Sequence, residues 1–331
     1  MKRITELDAL RGIAILIIML FHYFSRYNYI YGHQYRFFHD FYWGGYTGIY
    51  LFFVISGFSI MISLKKTNRA LDFMVNRFSR LYPSYWVSMF STFIAVSVFS
   101  LPGREITVRE FLANLSMLQY WQGIPDVDGA YWILPIFLIF YAFIFLLLIA
   151  KKTKYIEVVG LLWIIFSFVL RYFNFPYKET IESLVGFFKY SHLFFAGILF
   201  YQLKIKGFTF WRNLLILLCF LVQLSSNKTG ETIALGIILA TFYLLIFNYL
   251  FLIKNQLLTW IGKISYPLFL IHANIGYIII RKLYSIQAHQ WLIWMVPTLV
   301  SFLLAIIIHY YVAKPAQLFI RNSYNTLKKN N

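Results

Sequence analysis

Arg11 and His22 stand eleven residues apart within the apolar stretch LDALRGIAILIIMLFHYF, Leu7 to Phe24. Eleven residues make about three helical turns, so a helix would place both side chains on one face, roughly 16 Å apart. With Arg11 at a membrane surface, His22 would lie near the middle of a hydrocarbon core about 30 Å thick. A neutral imidazole in that position can serve as a general base, its ordinary pKa being about 6.5. The plainer alternative is a packed, hydrogen-bonded histidine beneath an arginine that snorkels to the interface. Intramembrane ionisable groups are functional often enough that neither reading prevails from these two residues alone.

Four more segments carry residue types with chemical potential. In NRFSRLYPSYW, Arg77 and Arg80 are helical neighbours whose guanidinium forks suit phosphate, although the same pair could simply mark a cytoplasmic membrane edge. Pro83 would end or kink that helix, or sit in its first turn. In GIYLFFVISGFSIMISL, Ser56 and Gly57 put small residues in the middle of a span. Ser56 has no base or orienting group nearby in sequence, so close helix packing is the expected role. In DVDGAYWILPIFLIFY, Tyr131 and Trp132 read as interface anchors or as an aromatic floor for a sugar ring. Asp126 and Asp128 read as solvated loop acids rather than acceptor-side acids. In KISYPLFLIH, His272 falls at a depth not far from that of His22, as either a packing or a functional histidine.

The elements that must position these residues are apolar helices. Of 331 residues, 60% are hydrophobic, 21% aromatic and only 13% charged, and the mean hydropathy is +0.68. A soluble domain carries about 25% charged residues, so lipid is the expected solvent. The net charge of +18 forms no basic domain: lysines and arginines punctuate the apolar runs, which argues against nucleic acid as a partner. Cys219 is the single cysteine, which excludes an intrachain disulfide, and no histidine spacing suggests a metal site. The first apolar run lacks a small-residue cleavage pattern and is expected to be retained as a span.

The chain is therefore expected to be an all-α polytopic membrane protein with about ten transmembrane helices. They are centred near Ile17, Val54, Phe90, Phe140, Trp163, Phe195, Ile216, Phe242, Leu270 and Leu303. The longest polar connections are about Tyr27–Gly45 and Leu101–Gly129. Assigning alternate loops to alternate faces puts 20 of the 30 lysines and arginines on one side, which places both termini in the cytoplasm.

Together and in this order, LDALRGIAILIIMLFH, GIYLFFVISGF, RFSRLYPSYW, GAYWIL followed by FY, and SYPLFLIH resemble the acyltransferase-3 family of bacterial membrane O-acyltransferases. The resemblance covers nearly the whole chain, with residues 1–322 as the transmembrane domain and 323–331 as a short cytoplasmic tail. It implies an inner-membrane enzyme that takes an acyl group, usually from acetyl-CoA on the cytoplasmic side, to a hydroxyl of an envelope glycan. It places the family's arginine–histidine pattern on Arg11 and His22 as catalytic residues. Its paired arginines fall on Arg77 and Arg80, which become contacts for coenzyme A phosphates. Ser56, Gly57, Tyr131, Trp132 and His272 become supporting residues. One departure stands out: Phe137 occupies the position where the family usually has a glutamate.

The mechanism this implies has His22 removing the proton of an acceptor hydroxyl that attacks the thioester, with Arg11 holding the donor or balancing developing charge. A relay through an acylated residue is an alternative. Two rivals stand beside it: a transporter or flippase that uses the intramembrane histidine and arginine, and a catalytically inactive family member that binds without turnover.

Overall fold

The computed structural model describes residues 4–35, 41–65, 67, 69–173 and 189–330, and among these every regular element is helical. Lys2, Arg3, Arg36, Lys66 and Lys178, five of the charges used above to orient the chain, lie outside the described residues. In chain order the helices are α1 (Thr5–Phe21), α2 (Tyr27–Tyr31), α3 (Tyr42–Leu64), α4 (Ala70–Phe99), α5 (Val108–Asn114), α6 (Leu134–Ile149) and α7 (Ile156–Tyr172). They continue with α8 (Ser191–Lys206), α9 (Phe210–Leu224), α10 (Thr229–Ile246), α11 (Gln256–Ser285), α12 (Gln290–Ile307) and α13 (Lys314–Asn330). Short π-helical turns join α1 to α2 at His22–Arg26 and α12 to α13 at Ile308–Ala313.

Each of the ten expected centres falls within a helix. Seven helical stretches among the described residues are long and apolar enough to cross a membrane: 5–31, 43–64, 131–149, 153–170, 229–246, 256–285 and 290–329. Helix α9 is apolar but shorter, with 15 residues. The first stretch outruns its expected end because the π turn carries the helix on to Tyr31, where Gly32 with φ of 76° stops it. Pro83 neither ends nor opens α4; the helix runs through it for 30 residues.

The chain divides into two compact units. The first comprises residues 1–18, 43–70 and 142–262. Its centre is α8, buried at every position from Ser191 to Leu203 and packed against α7, α9 and α10. A helix apolar on all sides belongs in such a position. Gly57 of α3 and Gly197 of α8 let two backbones touch: a Cβ at Gly57 would run into the Phe194 carbonyl, and one at Gly197 into that of Val54. The packing role expected of Gly57 is the role it has.

The second unit comprises residues 19–42, 71–141 and 263–331. Between α4 and α6 the chain folds back on itself, burying a few residues among many exposed ones. Asn114 ties it down, donating from Nδ2 to the carbonyls of Glu110 and Pro125 at 2.9 Å each and accepting from the Val127 N–H at 3.3 Å. A capping box at Thr107 and Glu110 starts α5, satisfying two backbone donors at once. Asn114, Gln119 and Asp128 are all fully buried.

Candidate active site

The π turn that begins at His22 re-aims the residues after it, so that Tyr23, Ser25 and Tyr27 are all buried. Half-buried His22 has its Nδ1 2.8 Å from the hydroxyl of Tyr277, and its ring meets that of His272 nearly at right angles, centroids 4.7 Å apart. The second unit thus brings together two histidines that are 250 positions apart in the chain.

The protonation of His272 follows from its partners. Its Nδ1 lies 2.8 Å from the Phe269 carbonyl, which can only accept, so Nδ1 carries the hydrogen and Nε2 the lone pair. That Nε2 is buried and has no hydrogen-bond partner. For His22, proton placement is coupled to Tyr277: with Nδ1–H donating to the phenol oxygen, Nε2 is left as a base.

Three groups hold the α11 backbone around His272. The Tyr131 hydroxyl donates to the Leu270 carbonyl at 2.9 Å. Tyr23 donates to the carbonyl of His272 at 3.1 Å while its oxygen lies 2.8 Å from Ser301 Oγ. Asp128 Oδ2 accepts from the Asn274 N–H at 2.9 Å, and its Oδ1 from the Ala130 N–H at 2.9 Å. The ring of His272 is therefore fixed through alternate residues 270, 272 and 274.

Two expectations change here. Tyr131 is not an interface anchor: it is fully buried, packed against Tyr85 with centroids 5.3 Å apart, because its hydroxyl is needed inside. Trp132 beside it is 37% exposed, as an interface residue would be. Asp128 is not a solvated loop acid. Burial pushes its carboxyl up to about 6 against the opposing pull of the two N–H donors and the Arg104 charge. Phe137, standing where a glutamate was expected, packs near Tyr141 at 6.3 Å between ring centroids.

Arg77 and Arg80 are in the same unit. The Arg77 guanidinium lies over the rings of Phe73 and Tyr141 at 5.2 and 5.3 Å, and its Nε is buried without a partner. Arg80 is exposed. From α13, Arg321 donates to Ser79 Oγ at 3.3 Å, and its charge acts on both arginines. Among the described residues none of the three forms an ion pair, which leaves an arginine cluster suited to a multiply charged anion.

Arg11 belongs to the first unit and has partners of its own. Its NH1 donates to Asp8 Oδ1 at 2.8 Å and its NH2 to Ser59 Oγ at 2.6 Å. Ser56, half-buried in α3, makes no hydrogen bond to an imidazole or carboxylate among the described residues. The sequence pattern did not single out Tyr277, Tyr23 or Arg321. The only signal for Tyr277 is its place five residues beyond His272 on the same apolar helix. No group of three or more histidine, cysteine or acidic side chains among the described residues is placed to hold a metal ion.

A family model described as an acyltransferase domain matches residues 4–311. No curated protein and no solved structure matches the chain.

Proposed function

The chain belongs to the acyltransferase-3 family of membrane acyltransferases, and from that premise we propose that it is an O-acyltransferase, moving an acyl group from cytoplasmic acyl-CoA to a hydroxyl of a cell-envelope or exported glycan. Acetyl is the simplest group, and the bacterial inner membrane is the location that fits. The observation that carries the reading is the His22–His272 pair, with Tyr277 on one imidazole and a buried lone pair on the other.

In the proposed reaction His22 removes the acceptor hydroxyl proton as the oxygen attacks the thioester carbonyl. The tetrahedral intermediate collapses by breaking the carbon–sulfur bond, and the proton held by the imidazole passes to the departing thiolate. The products are the glycan ester and free coenzyme A. His272 positions His22 through the perpendicular ring contact, and Tyr277 holds Nδ1 of His22 as its acceptor, so that Nε2 is the base. Arg77 and Arg80, joined by Arg321 from beyond the matched residues, are suited to the donor's phosphates. A recess of about 610 Å³ along α13 is lined by Asn322, Asn325, Thr326, Lys328 and Lys329, of which Lys328 is already paired with Asp72 at 2.9 Å. Asp128 takes the place of the missing glutamate only indirectly, by fixing the backbone beside His272.

The test is transfer of label from radiolabelled acetyl-CoA to membrane glycans in proteoliposomes. Transfer by the native protein that His22→Ala abolishes is the expected result. Undiminished transfer by His22→Ala would remove the base. Coenzyme A binding without any transfer would point to an inactive relative, and glycan flux without donor consumption to a transporter.

A further inference from the structure

Beyond His272, α11 presents Tyr277, Arg281 and Tyr284 at i, i+4 and i+7, on one helix face. Tyr277 is bonded to His22. The ring of Tyr31 meets that of Tyr277 edge-on, centroids 6.0 Å apart, and the Arg281 guanidinium lies 5.3 Å over the Tyr31 ring. From the imidazole of His22, a chain of side-chain contacts through Tyr277 and Tyr31 therefore leads to a guanidinium. NH1 of that guanidinium is buried and has no acceptor.

Two further arginines act on the same place. The charges of Arg26 and Arg104 both reach His22 and Tyr277, and Arg104 packs over Gly129. Among the described residues, none of Arg26, Arg104 and Arg281 forms an ion pair. The nearby carboxylates each accept hydrogen bonds from other groups, Asp128 from two N–H groups, Asp126 from Gln119 at 2.6 Å and Glu105 from Ser100 at 3.1 Å, and the charges of Asp126 and Asp128 offset part of that of Arg104. What is left unmatched here is NH1 of Arg281, a charged donor with no acceptor.

These arginines are also distinct from the donor cluster. Arg77 and Arg80 lie near the start of α4, whereas Arg104 follows its last residue. From Arg80 to the end of α4 at Phe99 is 19 helical residues, about 29 Å, comparable to the thickness of a membrane core.

We propose that the acceptor is an anionic glycan. Its carboxylate or phosphate is held by Arg281, with Arg26 and Arg104 contributing charge, while a sugar ring lies against half-buried Tyr31 and a neighbouring hydroxyl reaches His22. The inference rests on the transferase reading above and adds the substrate class. A buried charged donor without an acceptor, as NH1 of half-buried Arg281 is, is costly, and an anion removes that cost with charge-assisted bonds stronger than a neutral hydroxyl offers.

The experiment follows label from acetyl-CoA into glycans of the native membranes, which are then separated on an anion exchanger into acidic and neutral fractions. Label is expected in the acidic fraction. At limiting acceptor, Arg281→Gln should lower its incorporation on the order of 10- to 100-fold, the range for losing a charged hydrogen bond. The loss should appear in KM for acceptor more than in kcat, and Arg281→Lys should restore part of it. Added salt should weaken transfer by the native protein more than by Arg281→Gln, which a purely structural arginine would not produce. Arg104→Gln repeats the comparison if Arg281→Gln does not fold. Label confined to neutral glycans would overturn the inference. So would an Arg281→Gln defect in KM for acetyl-CoA in place of the acceptor, which would assign the arginine to the donor's phosphates. Absence of label from every fraction with the native protein would instead overturn the transferase reading.

Discussion

Arg11 and Arg281 are both arginines on long apolar helices, yet their surroundings differ in kind. Arg11, in the first unit, has a carboxylate at 2.8 Å and a serine hydroxyl at 2.6 Å, and its side chain is 17% exposed against 7% for Asp8. Arg281, in the second unit, has an aromatic ring beneath it and a buried NH1 facing no acceptor. The same contrast separates Arg11 from Arg77, whose Nε is likewise unmatched. Residue type does not distinguish these three cations. Their partners do: a charge balanced within the protein holds helices together, while an unbalanced one is available to a ligand.

Removing His22 tests that contrast most severely. His22→Ala should reduce transfer by about 10² to 10⁴, while the lost hydrogen bond to buried Tyr277 should cost only about 1–3 kcal/mol of stability. Arg11→Ala should do the reverse first. Breaking a mostly buried ion pair from one side costs about 3–5 kcal/mol, since Asp8 is left charged in an apolar setting. A melting temperature well below native is expected, and Asp8→Ala combined with Arg11→Ala should recover much of it. Equal stability of the single and double variants would show that Arg11 is not held in place by this pair.

Asp128 sharpens the comparison through pH. Its folded-state pKa of about 6 lies above the usual 3.8, so between those values the folded chain holds a proton that the unfolded chain has lost. Its contribution to stability is therefore fully present below about pH 4, declines as pH rises toward about 6, and is flat above. Melting temperatures of the native protein minus those of Asp128→Asn, measured from pH 4 to 7, should follow that decline. The smallest effect is expected from Tyr131→Phe. Leaving the Leu270 carbonyl without its donor should cost about 1–3 kcal/mol and lower transfer without abolishing it. An unchanged rate would show that this anchor does not orient His272.

Much of the architecture was legible because membrane helices announce themselves by length and hydropathy. All ten expected centres lie within helices, although only seven stretches among the described residues are long and apolar enough to span by themselves. The packing of Gly57 was legible for a similar local reason: a small residue amid large apolar ones marks a close approach. Tyr131 and Asp128 were misjudged because a residue beside a polar loop looks solvated until one knows that the loop turns inward. Only the Asn114 bonds and the buried seat on α11 reveal that it does.

By itself, the sequence determined that this is a helical membrane protein of the acyltransferase-3 family and that His22 and His272 are polar groups inside apolar spans. Hydropathy and short motifs are local properties, readable along the chain. The tertiary structure alone decided that the two imidazoles meet, which nitrogen of His272 bears its hydrogen, and that Arg11 is neutralised while Arg281 is not. Each of these depends on a partner distant in sequence or on the exact direction of a carbonyl or carboxylate, and no local pattern encodes either.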